Sequence, residues 1–143
     1  MRYAMTTADC VREIAVYCLR RRKSCFEGWP APVVFKYFAF HFLAHTICVA
    51  REGRAILGVG IAYSGPESYF REREGKPFDW QLPVAGETLY VADIVSSKRG
   101  VPRLWWWGMW KHPWIKKILT YRRGKLVELS KATLDRLAKM EAA

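Results

Sequence analysis

The order of hydrophobic patterns along this chain predicts an α+β fold, a mixed sheet flanked by helices, and three observations carry the prediction. Helical periodicity opens the chain. Two pairs of short β-prone runs each bracket a polar turn with a glycine, and a continuous apolar run, Leu89 to Val95, leads into a stretch of helical character. Helices alone would make a bundle and strands alone a sandwich, and this alternation suits neither. With 143 residues, 51% of them hydrophobic, the chain is read as one domain spanning residues 1–143, long enough for one core and too short for two ordinary ones.

Thr7 or Asp9 is placed to cap a first helix running to about Lys23, because Val11, Ile14, Ala15, Cys18 and Leu19 recur at helical spacing while Arg12, Glu13 and Arg20 fall elsewhere. Gly28, Pro30 and Pro32 then break the chain. Pro32 suits the first turn of a second helix ending near Leu43, aromatic on several sides and so expected to be buried. Thr46 to Ala50 and Ala55 to Tyr63, around Arg51-Glu52-Gly53-Arg54, read as a β-hairpin. Ser64 to Gly86, rich in Pro, Gly and alternating charge, reads as a long excursion with one helical turn around Glu67 to Glu72. Leu89 to Val95 is a buried strand, and Val101 to about Lys111 a helix stopped by Pro113. Ile118 to Arg122 and Lys125 to Leu129 form two short strands about Gly124, after which Ser130 caps a final helix, Lys131 to Met140.

The net charge is +11, and it is unevenly placed: Lys98 to Lys139 holds twelve of the 24 basic residues against two acids, Glu128 and Asp135. A second cluster is Arg20-Arg21-Arg22-Lys23. Such a field favours a polyanionic partner, whether nucleic acid, an acidic membrane surface, an acidic protein or a phosphate-bearing donor; a solvated basic face is the plain alternative. Cys10, Cys18, Cys25 and Cys48 show neither CxxC pairing nor zinc spacing, so buried free thiols in a reducing, cytoplasmic setting are expected. The amino terminus lacks the charged-then-apolar order of a secretory leader. Ala31 to Ala50 is apolar but interrupted by Lys36, His41 and His45, so no transmembrane span is expected. His41 and His45 are four apart without an accompanying ligand pattern, and no metal site is assigned. His112, before Pro113, is expected on the surface at a helix end.

Asp93 is the most suggestive single residue. A carboxylate inside an apolar strand must be hydrogen-bonded, paired or functional; it serves either as a general base or as the partner of a basic side chain at the strand's end. Ser96 and Ser97 follow it, as proton donors or phosphate ligands, or simply as turn residues. Trp105, Trp106 and Trp107 cannot all face one core, since consecutive helical residues point about 100° apart. Trp106 and Trp110 are assigned to the core. Trp105 or Trp107, with Lys111, Lys116 and Lys117, is the candidate interaction surface, for single-stranded bases, an acyl chain, a membrane interface or a protein.

Several features resemble the GNAT acyltransferase superfamily: amino-terminal helices, an antiparallel hairpin, and a central strand feeding a basic turn (Lys98, Arg99, Gly100, Arg103) and a helix. A narrower likeness is to the toxin-activating lysine acyltransferases, GNAT-like proteins that move a fatty acyl group from acyl carrier protein to a lysine. It rests on Trp29-Pro30 opening the second helix, the hairpin with its small polar turn, Asp79-Trp80 before the central strand, and Asp93 at the place of the branch's acid.

The resemblance implies a central, mostly antiparallel sheet, Asp93 as base toward an attacking amine, a serine as proton donor, and acyl-CoA or acyl carrier protein as donor, its phosphate held by Lys98, Arg99, Gly100 and Arg103. In the superfamily's Gln/Arg-x-x-Gly-x-Gly/Ala turn, started at Arg99, Pro102 falls at the first glycine and Leu104 at the second. Phe26 stands where the toxin-activating branch has its histidine. Two functions follow: acyl transfer to an amine, or a non-catalytic basic binding module, nucleic-acid-associated or a component of a phage virion.

Overall fold

The computed structural model describes residues 6–21 and 26–130, together with residues 132 and 136. Its elements are α1 (Thr7–Arg20), α2 (Ala31–Leu43), β1 (Ile47–Glu52), β2 (Ala55–Gly65), α3 (Glu67–Glu72), β3 (Thr88–Ser96), α4 (Val101–Lys111), β4 (Lys117–Arg122) and β5 (Lys125–Leu129). The fold is α+β. The strands lie in the order β1-β2-β3-β4-β5, with β3 and β4 parallel and the other pairs antiparallel. A parallel pair needs a crossover, and α4 supplies it. The final helix expected from Lys131 to Met140 lies outside the described residues.

The α1 cap is Thr6, one residue before the expected one. Its hydroxyl accepts from the Asp9 N–H at 3.1 Å while the Asp9 carboxylate accepts from the Thr6 N–H at 3.2 Å. Asp9 is therefore the third helical residue of a reciprocal cap and not the cap itself. Pro32 sits in the first turn of α2, where a missing N–H costs nothing.

Two apolar layers cover the two faces of the sheet. On one, Val11, Ile14, Ala15 and Cys18 of α1 and Val34, Tyr37 and Phe38 of α2 pack with Val59, Ile61 and Val95. On the other, Ala62, Leu89, Val91, Ile115 and Ile118 receive Trp105, Trp107 and Met109. An ion pair at 2.6 Å between Arg51 and Glu13 ties β1 to α1.

A register shift in the central strand orients the site. Ile61 pairs with Asp93 but Ala62 with Val91, so Ala92 is an extra residue in β3. Strict alternation from Leu89 would send Asp93 to the α4 face. The bulge resets the alternation, so Ile94 joins Leu89 and Val91 against α4 while Asp93 joins Tyr90 on the other face.

Candidate functional site

Asp93 opens into a cavity of about 430 Å³. The sheet supplies its floor with Tyr63, Tyr90 and Asp93, α2 one wall with Tyr37, and the segment after α3 its cover with Arg73, Phe78 and Asp79. Trp29 stands on one side, and Tyr121 and Leu126 of the β4–β5 hairpin on the other. The far side exists because β3 and β4 separate: they pair only from Thr88–Lys117 to Val91–Thr120, and β3 then continues alone to Ser96. The Thr120 hydroxyl donates to the Val91 carbonyl at 2.9 Å at the point of parting.

The Tyr37 hydroxyl donates to Asp93 Oδ2. Tyr63 and Tyr90 are held in the neutral phenol form, chiefly by burial and further by surrounding phenols and the Asp93 carboxylate; Tyr90 is pushed up to about 12. The cavity thus sets Asp93 among ring faces and phenolic hydroxyls, while Arg73, Glu74, Lys76 and Asp79 of the cover add charges of both signs. Such a surface suits an alkylammonium or amine, whose charge the carboxylate meets and whose methylenes the rings cover.

The segment covering the cavity is braced at several points. Arg73 pairs with Asp79 at 3.4 Å and donates to the Pro77 carbonyl at 2.7 Å. Glu74 accepts from the Leu126 N–H at 2.8 Å, linking the cover to the far hairpin. Trp80 adopts a left-handed backbone conformation, φ 63°, uncommon for a bulky residue. Phe78 packs on its ring at 5.5 Å and the Lys36 ammonium lies 4.7 Å above it, so the Asp79-Trp80 step noted in the sequence is where the excursion turns back toward the sheet.

Behind the wall lies His41, fully buried among Tyr37 at 4.7 Å, Phe78 at 5.1 Å and Tyr63 at 5.9 Å. The Thr46 hydroxyl donates to the His41 carbonyl at 3.3 Å, which leaves it to accept from His41 Nδ1–H at 2.7 Å. Nε2 then carries the lone pair, and no hydrogen-bond partner reaches it. Burial lowers the imidazole's pKa from 6.5 to about 4.

The other sequence-predicted residues lie elsewhere. Leu57 is the extra residue of a bulge in the first hairpin, since Ala50 pairs with Gly58 and Arg51 with Ile56. Its carbonyl accepts from the Ser97 N–H at 2.8 Å and lies 3.1 Å from Ser96 Oγ and 3.0 Å from Ser97 Oγ. Ser96 Oγ is also 2.7 Å from the Ser97 carbonyl. Both hydroxyls therefore anchor the end of β3 to the hairpin, and neither lines the cavity.

The basic turn is engaged in the same way. Arg99 pairs with Glu52, Arg103 donates to the Arg51 carbonyl, and Lys98 is exposed. At Gly100 a Cβ would stand 2.7 Å from the Leu57 carbonyl oxygen, so glycine is needed for close packing on β2. Leu104, at the superfamily's second glycine, is buried over Gly58 and Gly60. These residues do not fit a pyrophosphate. Pro102 has no N–H to offer, the guanidiniums are turned onto the hairpin, and Leu104 fills the space.

The tryptophan assignment is reversed. Trp105 and Trp107 pack on the sheet, leaving a gap of only about 20 Å³ beside Ile94 and Leu104. Trp106 and Trp110 are exposed and stacked on each other at 6.0 Å. Leu104 and Gly108, one turn apart and buried, define the face that meets the sheet; Trp105 and Trp107 flank it from either side, and Trp106 and Trp110 share the opposite face. Lys111 donates to the His45 carbonyl, Lys116 pairs with Glu87 at 3.3 Å and Lys117 with Glu67 at 2.8 Å. His112 is buried, not on the surface: Nδ1 lies 2.8 Å from the Gly108 carbonyl, and burial holds its pKa low.

Among the described residues, no group of His, Cys, Asp or Glu could hold a metal ion, and no helix is long and apolar enough to cross a membrane. Cys10, Cys18 and Cys48 are free thiols, with burial pushing Cys18 up to about 12 and Cys48 to about 11; Cys25 lies outside the described residues. Sequence reasoning missed Tyr37, one aromatic among many in α2, which meets Asp93 across 56 positions of chain. Phe26, at the toxin-activating branch's histidine position, is buried 5.6 Å from the Tyr37 ring. The chain matches no protein-family model and no curated protein.

Proposed function

We propose that this protein is a GNAT-like enzyme that transfers an acyl group from a carrier thioester to an amine bound beside Asp93. One observation carries the reading: a carboxylate, hydrogen-bonded by Tyr37, faces an aromatic cavity beside the point where β3 and β4 part. The ring faces of Tyr63, Tyr90 and Phe78 would hold the acceptor's methylenes, and Asp93 would take a proton from its ammonium. The freed nitrogen attacks the thioester carbonyl and the carbon–sulfur bond breaks. The nitrogen's second proton goes to the leaving thiolate, and Asp93 returns its own proton to solvent.

The lack of a pyrophosphate cradle at Gly100 favours a donor recognised through a protein surface, and a chain of net charge +11 suits an acidic acyl carrier protein. The α4 side of the parted strands is filled by Trp105 and Trp107, so the acyl chain would have to enter from the cavity side. The test is mass-spectrometric detection of amide formation when the full chain is mixed with long-chain acyl carrier protein and a lysine-containing peptide, with acetyl-CoA as the second donor. Asp93→Asn should lower the rate by about a hundredfold or more. Absence of acyl amide with both donors would refute the reading.

A further inference from the structure

Helix α4 and its exit carry an aromatic ridge for which the cavity has no use. Trp106 and Trp110 are one turn apart on the face turned away from the sheet, and Trp110 is 68% exposed. Trp114, 49% exposed, is fixed by its indole N–H donating to the Gly86 carbonyl at 2.9 Å. Two exposed aliphatic side chains lie close in sequence to residues that this region contacts. Val84, two residues before Gly86, is 81% exposed, and Leu43, two residues before the His45 carbonyl that Lys111 holds, is 67% exposed. The sequence here is basic: Lys98 to Ser130 contains nine basic residues and a single acid, Glu128, with Lys116 and Lys117 paired to Glu87 and Glu67 from outside the segment.

We propose that the exposed indoles of Trp106, Trp110 and Trp114 dock on anionic phospholipid bilayers, entering the headgroup region while the chain's net positive charge draws it to the lipid phosphates. Charge complementarity selects an anionic surface. Indoles, apolar with one polar N–H, favour the membrane interface. Single-stranded nucleic acid fits less well. The Trp106 and Trp110 rings already face each other at 6.0 Å and 11°, leaving no slot for a base between them, and Val84 and Leu43 offer nothing to a stacking ligand. The contact is surface-lying, with the ridge parallel to the membrane.

The experiment is flotation of the full chain with phosphatidylglycerol–phosphatidylcholine vesicles and with phosphatidylcholine vesicles alone, with tryptophan emission read in parallel. Expected are co-flotation with the anionic vesicles, a blue shift, and weakening by salt. The variant Trp106→Gln/Trp110→Gln, checked for an unchanged circular dichroism spectrum, should partition roughly tenfold less or weaker still. Failure of the parent to float with anionic vesicles, or equal partitioning of parent and variant, overturns the proposal. So does an emission change given by a single-stranded oligonucleotide and not by vesicles, which would make nucleic acid the occupant.

Discussion

Replacing His41 by phenylalanine isolates the cost of sealing an imidazole among aromatic rings. Burial takes this group from the usual 6.5 to about 4. A folded-state value below the unfolded one means that, between those pH values, the unfolded chain binds a proton that the folded chain refuses. The stability from the neutral imidazole is therefore complete above about pH 6.5 and is lost as pH falls toward about 4. Between about pH 7.5 and about pH 5, where most carboxylates stay ionised, the loss works out at about 2 kcal/mol. His41→Phe removes this dependence. It gives up the Thr46 hydrogen bond but also the unpartnered Nε2, so at about pH 7.5 it should lie within about 1 kcal/mol of the parent. His112, also lowered by burial, is present in both proteins and cancels. Urea unfolding followed by far-ultraviolet circular dichroism at both pH values measures the difference. Equal pH dependence in parent and variant would refute the sealed, neutral imidazole.

The two faces of α4 predict opposite outcomes. Trp107→Ala, which empties packing against Leu89 and Val91, should cost about 2–3 kcal/mol in urea unfolding, while Trp110→Ala on the exposed face should change stability by no more than about 0.5 kcal/mol. Gly86→Ala would bring a methyl 2.5 Å from the Gly65 carbonyl oxygen and 2.7 Å from Pro66 N. Because both are backbone atoms that cannot swing aside, a loss of about 1–3 kcal/mol is expected, read as a lowered thermal midpoint. The same change should loosen the 73–79 cover, visible as faster amide exchange there.

The elements themselves were legible because each is written locally. The Pro32 start of α2, the Gly53 turn, the single helical turn at Glu67–Glu72, α4 and the Gly124 hairpin all follow from residues close in sequence. Asp93 could be singled out because a carboxylate in an apolar strand is conspicuous. Its partner could not be, since nothing near Tyr37 distinguishes it from Phe35, Phe38 or Phe40 until the sheet is assembled. Ser96 and Ser97 illustrate the opposite case: hydroxyls next to a candidate base invite a catalytic reading, and the carbonyl of the bulged Leu57, some forty residues away, claims them.

Sequence alone determined the α+β class, the strand and helix positions and the concentration of positive charge, because propensity, turn chemistry and net charge are properties of neighbouring residues. Tertiary structure decided which face of α4 is buried, that Asp93 turns into an aromatic cavity with Tyr37, and that the arginines of the basic turn are bound to the hairpin. Each of these depends on a bulge or a packing choice between segments far apart in the chain. An extra residue at Ala92 redirects every side chain after it, and only the neighbouring strand reveals that it is extra.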